Sequence, residues 1–299
     1  MSIQPQYLNP GDLIQIIAPA KAIEAAQVFY AKELLEKRGY KVDISKHCLG
    51  LHNYFSGTEE ERLEDLQMAL NNDAKAILCA RGGYGCVQLV DKLDWSEFEK
   101  NPKWVIGFSD VTVLHQRLHC LGVSSIHGTM PLNFQQNSEA SIETLLCALE
   151  GKDYRIESEP SQYNIKGITK GTLIGGNLAI LYSLLGTNDQ PDYSGCILYI
   201  EEIGEALYSI DRMFYSLKKA GILEKINGLI VGGMTSMIDS ATPFGKTFEQ
   251  IILSHIESLN IPVCFNFPAG HIDDNRALML GQECTFEVDD SGATVGFSF

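Results

Sequence analysis

Residues 104–120 read WVIGFSDVTVLHQRLHC. A short apolar run suited to a buried strand ends at Gly107, and from Val111 the apolar positions recur with helical spacing through Cys120. A strand that passes almost at once into a helix is the repeating unit of a parallel sheet covered by helices. The same alternation extends outward in both directions. Strands are predicted over 13–18, 76–79, 104–107, 196–200 and 228–231. Amphipathic helices are predicted over 22–38, 58–71, 111–120, 177–185 and 210–220. Residues 151–170 turn polar and lose strong periodicity, which predicts a linker. The expected fold is therefore α/β with two domains and a cleft between them. A parallel-sheet domain would span 1–150 and a second α/β domain 171–299, as a length of 299 residues suggests at about 150 residues per domain.

Charge and cysteine usage narrow the function. Lys and Arg number 23 against 38 Asp and Glu, so the formal net charge is 23 − 38 = −15. Such a surface offers no general attraction to a phosphate backbone or an anionic lipid sheet, which argues against nucleic acid and membrane partners. The eight cysteines form no C-x-x-C pair and no zinc quartet. They read as free, mostly buried thiols of a reducing compartment. The amino terminus lacks the basic and apolar regions of a signal peptide, and no apolar run is long enough to span a bilayer. A cytoplasmic protein is expected.

In parallel sheets ligands gather beyond the carboxyl ends of strands, so the residues just after each strand carry the candidate chemistry. Ser109 follows the strand at 104–107. A tight turn there would expose its hydroxyl and aim the following N–H at a developing oxyanion. The segment Gly107-Phe108-Ser109-Asp110-Val111 lacks the second glycine of a G-x-S-x-G elbow, however, and a helix N-cap is the competing reading. A serine nucleophile needs a base and an acid to orient that base. His271, after Pro268-Ala269-Gly270, and His127 are the strand-end histidines, while Glu201 and Glu202 close the strand at 196–200. The run Arg81-Gly82-Gly83-Tyr84-Gly85 matches neither a P-loop nor a dinucleotide fingerprint, and its N–H groups suit an anion or an oxyanion. His115 and His119 have zincin-like spacing without the zincin glutamate, so no metal is expected. Cys86 reads as a packed thiol, and the acidic run at 58–65 as a solvated helix start.

Taken in order, these pieces resemble the LD-carboxypeptidase family of serine peptidases, which includes microcin-immunity members. The resemblance runs through Gly11-Asp12, Ala18-Pro19, Arg62, Ala80 to Gly85, Gly107 to Thr112, His127-Gly128, Gly175-Gly176-Asn177-Leu178 and Gly186-Thr187. It continues through Glu201-Glu202, Tyr208, Asp211, Arg212, Gly270-His271, Asn275 and Gly281. Alanine at position 20 replaces a serine common in the family. The resemblance implies a cytoplasmic homodimeric enzyme without a cofactor. It would cleave the amide bond before a carboxy-terminal D-amino acid, releasing D-alanine from a peptidoglycan tetrapeptide. Ser109 would be the nucleophile, His271 the general base, Glu201 the acid in preference to Glu202, and the N–H groups of Gly83 and Asp110 the oxyanion hole. Arg81 and Arg212 are candidates for the substrate carboxylate. The alternatives are a peptidase acting on a peptide-nucleotide antibiotic and a non-catalytic α/β protein that binds a sugar phosphate or other anion.

Overall fold

Apolar runs that are buried on both faces build the first half of the molecule. The structure, a computed structural model, describes residues 2–297. Its first part comprises β1 (Leu13–Ile17), α1 (Ala25–Lys37), β2 (Lys41–Ile44), α2 (Glu59–Asn71), β3 (Ala76–Cys79), α3 (Cys86–Leu89), α4 (Ser96–Lys100), β4 (Trp104–Gly107), α5 (Thr112–Cys120), β5 (Ser125–His127) and α6 (Glu139–Glu150). Every residue of β3 and β4 is buried, as expected for parallel strands covered by helices on both faces. Helix α2 starts where sequence chemistry dictates: Thr58 and Glu61 form a reciprocal capping box.

The second part comprises β6 (Tyr154–Ser158), β7 (Gly167–Asn177), α7 (Leu178–Ser183), β8 (Ile197–Ile203), α8 (Leu207–Lys219), β9 (Gly228–Thr235), α9 (Phe248–Ile256), β10 (Val263–Cys264), β11 (Leu278–Leu280), β12 (Glu283–Asp289) and β13 (Gly292–Phe297). Its sheet runs β10-β9-β8-β7-β12-β13-β6. The four strands from β10 to β7 are parallel, and the strands beyond β7 pair antiparallel. The predicted linker at 151–170 holds β6 and the start of β7. Only Ile156 of β6 is buried, so that strand carries almost no apolar signal.

The sheets are not independent in sequence. The first is ordered β11-β5-β4-β3-β1-β2, so the late strand β11 returns to it, antiparallel to β5 with Leu278 opposite His127. One hydrophobic cluster also includes Ile16, Trp104 and Ile126 of the first sheet and Tyr199, Phe286 and Val295 of the second. Each such buried side chain contributes about 1.5–3 kcal/mol, so the halves are held by a shared core. The helix after Ser109 is fastened across this boundary. Thr112 Oγ1 accepts the Asn177 N–H at 3.0 Å, and Gln116 donates to the Gly175 carbonyl at 2.9 Å. All eight cysteines are free, and six of them are buried. No helix of the described residues is long and apolar enough to cross a membrane.

Candidate active site

The turn between β4 and α5 stores backbone strain at the expected residue. Ser109 has φ +63°, a left-handed conformation that costs a β-carbon-bearing residue of order 1–3 kcal/mol. Its hydroxyl caps no helix, because neither the 3₁₀ turn Ser109–Val111 nor α5 has a side-chain cap. The space that a second elbow glycine would supply comes from another loop. A methyl group on Gly82 would lie 2.9 Å from Ser109 Cβ and 3.2 Å from the Phe108 carbonyl oxygen, so only glycine lets the two loops touch here. The elbow is thus shared between β3 and β4. Asp110, buried, accepts the Cys86 N–H at 2.8 Å and ties the end of the glycine loop to the turn; burial raises its carboxyl pKa. Buried Arg62 fastens the loop from the other side, donating to the carbonyls of Pro19 at 2.8 Å and Gly85 at 3.4 Å.

The adjacent glutamates of β8 diverge because successive strand side chains point to opposite faces. Glu201 is fully buried, and its Oε2 lies 2.6 Å from His271 Nδ1. Its other oxygen has no hydrogen-bond partner within the described residues, so the imidazole is the group that compensates this buried charge. Gly270 permits the approach: with φ +106°, a methyl group there would stand 2.7 Å from Glu201 Cβ. Glu202 is committed elsewhere. Its oxygens accept from Asn177 Nδ2 at 3.0 Å, Ile203 N at 2.8 Å and Ala179 N at 2.7 Å. Burial pushes the His271 pKa down, but the Glu201 hydrogen bond and the charges of Glu201 and Glu202 outweigh it, leaving the pKa above the ordinary histidine value. The Phe108 ring meets the imidazole edge to face, with centroids 4.9 Å apart.

Ser109 and His271 line one cavity of about 330 Å³, together with Arg81, Gly82, Gly83 and Phe108. The two side chains face the same space without a direct hydrogen bond, a spacing common before substrate draws such groups together. A larger hollow of about 570 Å³ lies at the opposite, amino-terminal ends of β3 and β4, around Lys75 and Lys103, and contains none of these groups. The arrangement joins a half-buried serine that lines the cavity, a carboxylate-held imidazole and a glycine loop. That set suits acyl transfer.

Two family models match the chain: the LD-carboxypeptidase N-terminal domain over residues 14–128 and the LD-carboxypeptidase C-terminal domain over residues 170–286. The chain belongs to the LD-carboxypeptidase family. It is 32% identical over 289 residues to the murein tetrapeptide carboxypeptidase of Pseudomonas aeruginosa, covering 92% of each chain. The crystal structure of a muramoyltetrapeptide carboxypeptidase from Oxalobacter formigenes superposes with a TM-score of 0.86 at 29% identity, over 96% of this chain and 99% of that one. A more distant relative is the microcin C7 self-immunity protein MccF of Escherichia coli, 25% identical over 96% of this chain and 94% of that protein.

Other LD-carboxypeptidase candidates from the sequence fall into supporting places. His127 is fully buried, with Nε2 3.2 Å from Tyr199 Oη, and burial drives its pKa well below the usual value. His115 uses both ring nitrogens, at 2.8 Å to Ser125 Oγ and 2.9 Å to the Gly107 carbonyl, so it braces the strand that presents Ser109. Arg212 lies over the Tyr208 ring and donates to Ser209 Oγ at 3.1 Å, apart from the cavity, and makes no ion pair with the adjacent Asp211 among the described residues. Asp211 instead meets His255 Nε2 at 2.8 Å. Sequence reasoning missed Lys21 and Tyr54 in the cavity wall. Lys21 follows the carboxyl end of β1, so the rule that singled out the other strand ends also points to it.

Proposed function

We propose that the protein is a serine-type LD-carboxypeptidase that hydrolyses the amide bond before the carboxy-terminal D-alanine of peptidoglycan tetrapeptides, as in cell-wall recycling. One observation carries this reading. A strained serine and an imidazole held by a fully buried carboxylate open onto the same cavity. The murein tetrapeptide relative supports the substrate class.

In the proposed reaction His271 Nε2 takes the Ser109 proton as Oγ attacks the scissile carbonyl. Glu201, on Nδ1, holds the useful tautomer and stabilises the imidazolium. The N–H groups of Gly83 and Asp110 donate to no hydrogen bond within the described residues. They would receive the oxyanion, each contributing roughly 3–4 kcal/mol by analogy with comparable donors. His271 then protonates the leaving nitrogen, D-alanine departs, and water deprotonated by His271 hydrolyses the ester to regenerate Ser109.

The test is release of D-alanine from a purified tetrapeptide ending in L-lysyl-D-alanine or diaminopimelyl-D-alanine, expected in the presence of a chelator as in its absence. No release from either peptide overturns the reading. The same assay on a peptidyl nucleotide addresses the second reading, which rests on the MccF likeness; turnover of that compound alone would favour it.

A further inference from the structure

In a chain whose formal charge is −15, the lining of the reaction cavity contains no acidic residue. Its charged side chains are Lys21 and Arg81, with the titratable His271 beside them. So local a reversal of sign favours an anionic group in this cavity. The two cations differ in their commitments. Arg81 donates through Nη1 to the Ala22 carbonyl at 3.0 Å. The Lys21 ammonium donates no hydrogen bond within the described residues and lies 4.9 Å from the centroid of the Tyr54 ring. Its donors are therefore free for a ligand. The aromatic face restrains the side chain without using them.

Packing against the oxyanion loop adds to the case for Lys21. Lys21 is fixed to the glycine loop by its own backbone, which donates to the Gly82 carbonyl at 3.3 Å. Its side chain packs on the neighbouring residue, for a methyl group built on Gly83 would stand 2.8 Å from Lys21 Cβ and 2.9 Å from Tyr54 Oη. Gly83 is the proposed oxyanion donor. In a peptide the scissile carbonyl carbon and the terminal carboxylate carbon are three covalent bonds apart, a separation of no more than about 4 Å. A group that recognises that carboxylate must reach it from beside the oxyanion hole, and Lys21 is the uncommitted cation packed there.

We propose that Lys21, braced by Tyr54, receives the terminal carboxylate of the substrate and thereby restricts the enzyme to the last residue of a peptide. Because this subsite rests on the carboxypeptidase reading above, the assay separates the failure of one from the failure of the other. D-Alanine release from the tetrapeptide acid and D-alaninamide release from the corresponding carboxamide are measured for the native enzyme, Lys21→Met, Lys21→Arg and Arg81→Met. The native enzyme should favour the acid in kcat/KM by on the order of 10- to 100-fold, the scale of one hydrogen bond between charged groups. Lys21→Met should abolish that preference chiefly by raising KM for the acid, Lys21→Arg should restore most of it, and Arg81→Met should retain it. Acid and carboxamide cleaved equally by the native enzyme, a preference that survives Lys21→Met, or a preference lost in Arg81→Met alone would overturn the subsite while leaving the carboxypeptidase reading intact. Loss of turnover in Lys21→Met with no rescue in Lys21→Arg would assign Lys21 a role other than carboxylate recognition. A native enzyme that cleaves neither compound would overturn both.

Discussion

The serine side and the histidine side of the site are built by different physical means. Ser109 is presented by backbone: a left-handed residue, a turn between buried strand and helix, and a neighbouring loop whose Gly82 leaves room for it. His271 is presented by charge: a carboxylate deprived of water and answered within the described residues by one imidazole. The first depends on space and tolerates little added volume. The second depends on protonation and should respond to pH. Each region therefore has its own way to fail.

The largest separation is expected between the two glutamates. Glu201→Gln preserves shape but removes the charge that orients and stabilises His271, and kcat should fall by on the order of 10³–10⁴-fold, as in comparable triads. Glu202→Gln weakens hydrogen bonds to Asn177 and to backbone N–H groups, away from the imidazole, and should lower kcat by about tenfold or less while reducing thermal stability. Steady-state kinetics on both variants decide this, and equal losses would break the distinction. Next comes the spatial side. Gly82→Ala places a methyl group 2.9 Å from Ser109 Cβ and should cost about 10²-fold in kcat, the scale of a 1 Å misplacement, with its pH profile unchanged.

A pH profile sharpens the comparison. Because His271 must be neutral to accept a proton and its pKa lies above the ordinary value of about 6.5, the acid limb of kcat/KM should fall above pH 6.5 in the native enzyme. In Glu201→Gln the residual activity should have that limb displaced to lower pH, since burial then acts with less opposition. The remaining expected effect is on stability rather than on turnover. Burial pushes the His115 pKa down to about 4, so its neutral form favours folding above pH 6.5, and that contribution is lost as pH falls from there toward 4. Denaturant titrations at pH 7.5 and pH 4.5 should differ by an amount that includes roughly 3 kcal/mol from this residue. His115→Gln should flatten the dependence.

The parts of the molecule visible in sequence are those whose signal is local. Residues 76–79 and 104–107 are strands with the predicted bounds because complete burial demands an uninterrupted apolar run. The turn before α5 is less legible: 109–111 is a 3₁₀ turn, and the room for Ser109 depends on Gly82, 27 residues earlier, which an elbow pattern confined to five consecutive residues cannot include. Likewise, Glu201 and Glu202 look alike at the end of an apolar run, yet β8 continues through both to Ile203, and what distinguishes them is distant in sequence: Gly270 and His271 beside Glu201, Asn177 and Ala179 beside Glu202. Strand β6 was hidden because its single buried residue produces no clear alternation. Strand β11 reads as apolar, but nothing local says that it joins the first sheet.

The central claim is that the strained serine of the first half and the charged pair of the second are one catalytic unit. The direct measurement is kcat for D-alanine release by Ser109→Ala from the L-lysyl-D-alanine or diaminopimelyl-D-alanine tetrapeptide, alongside its thermal midpoint. A loss of about 10⁴-fold or more in a protein that melts like the native one is predicted, because a triad acts as a unit. Near-native turnover by Ser109→Ala would contradict the account.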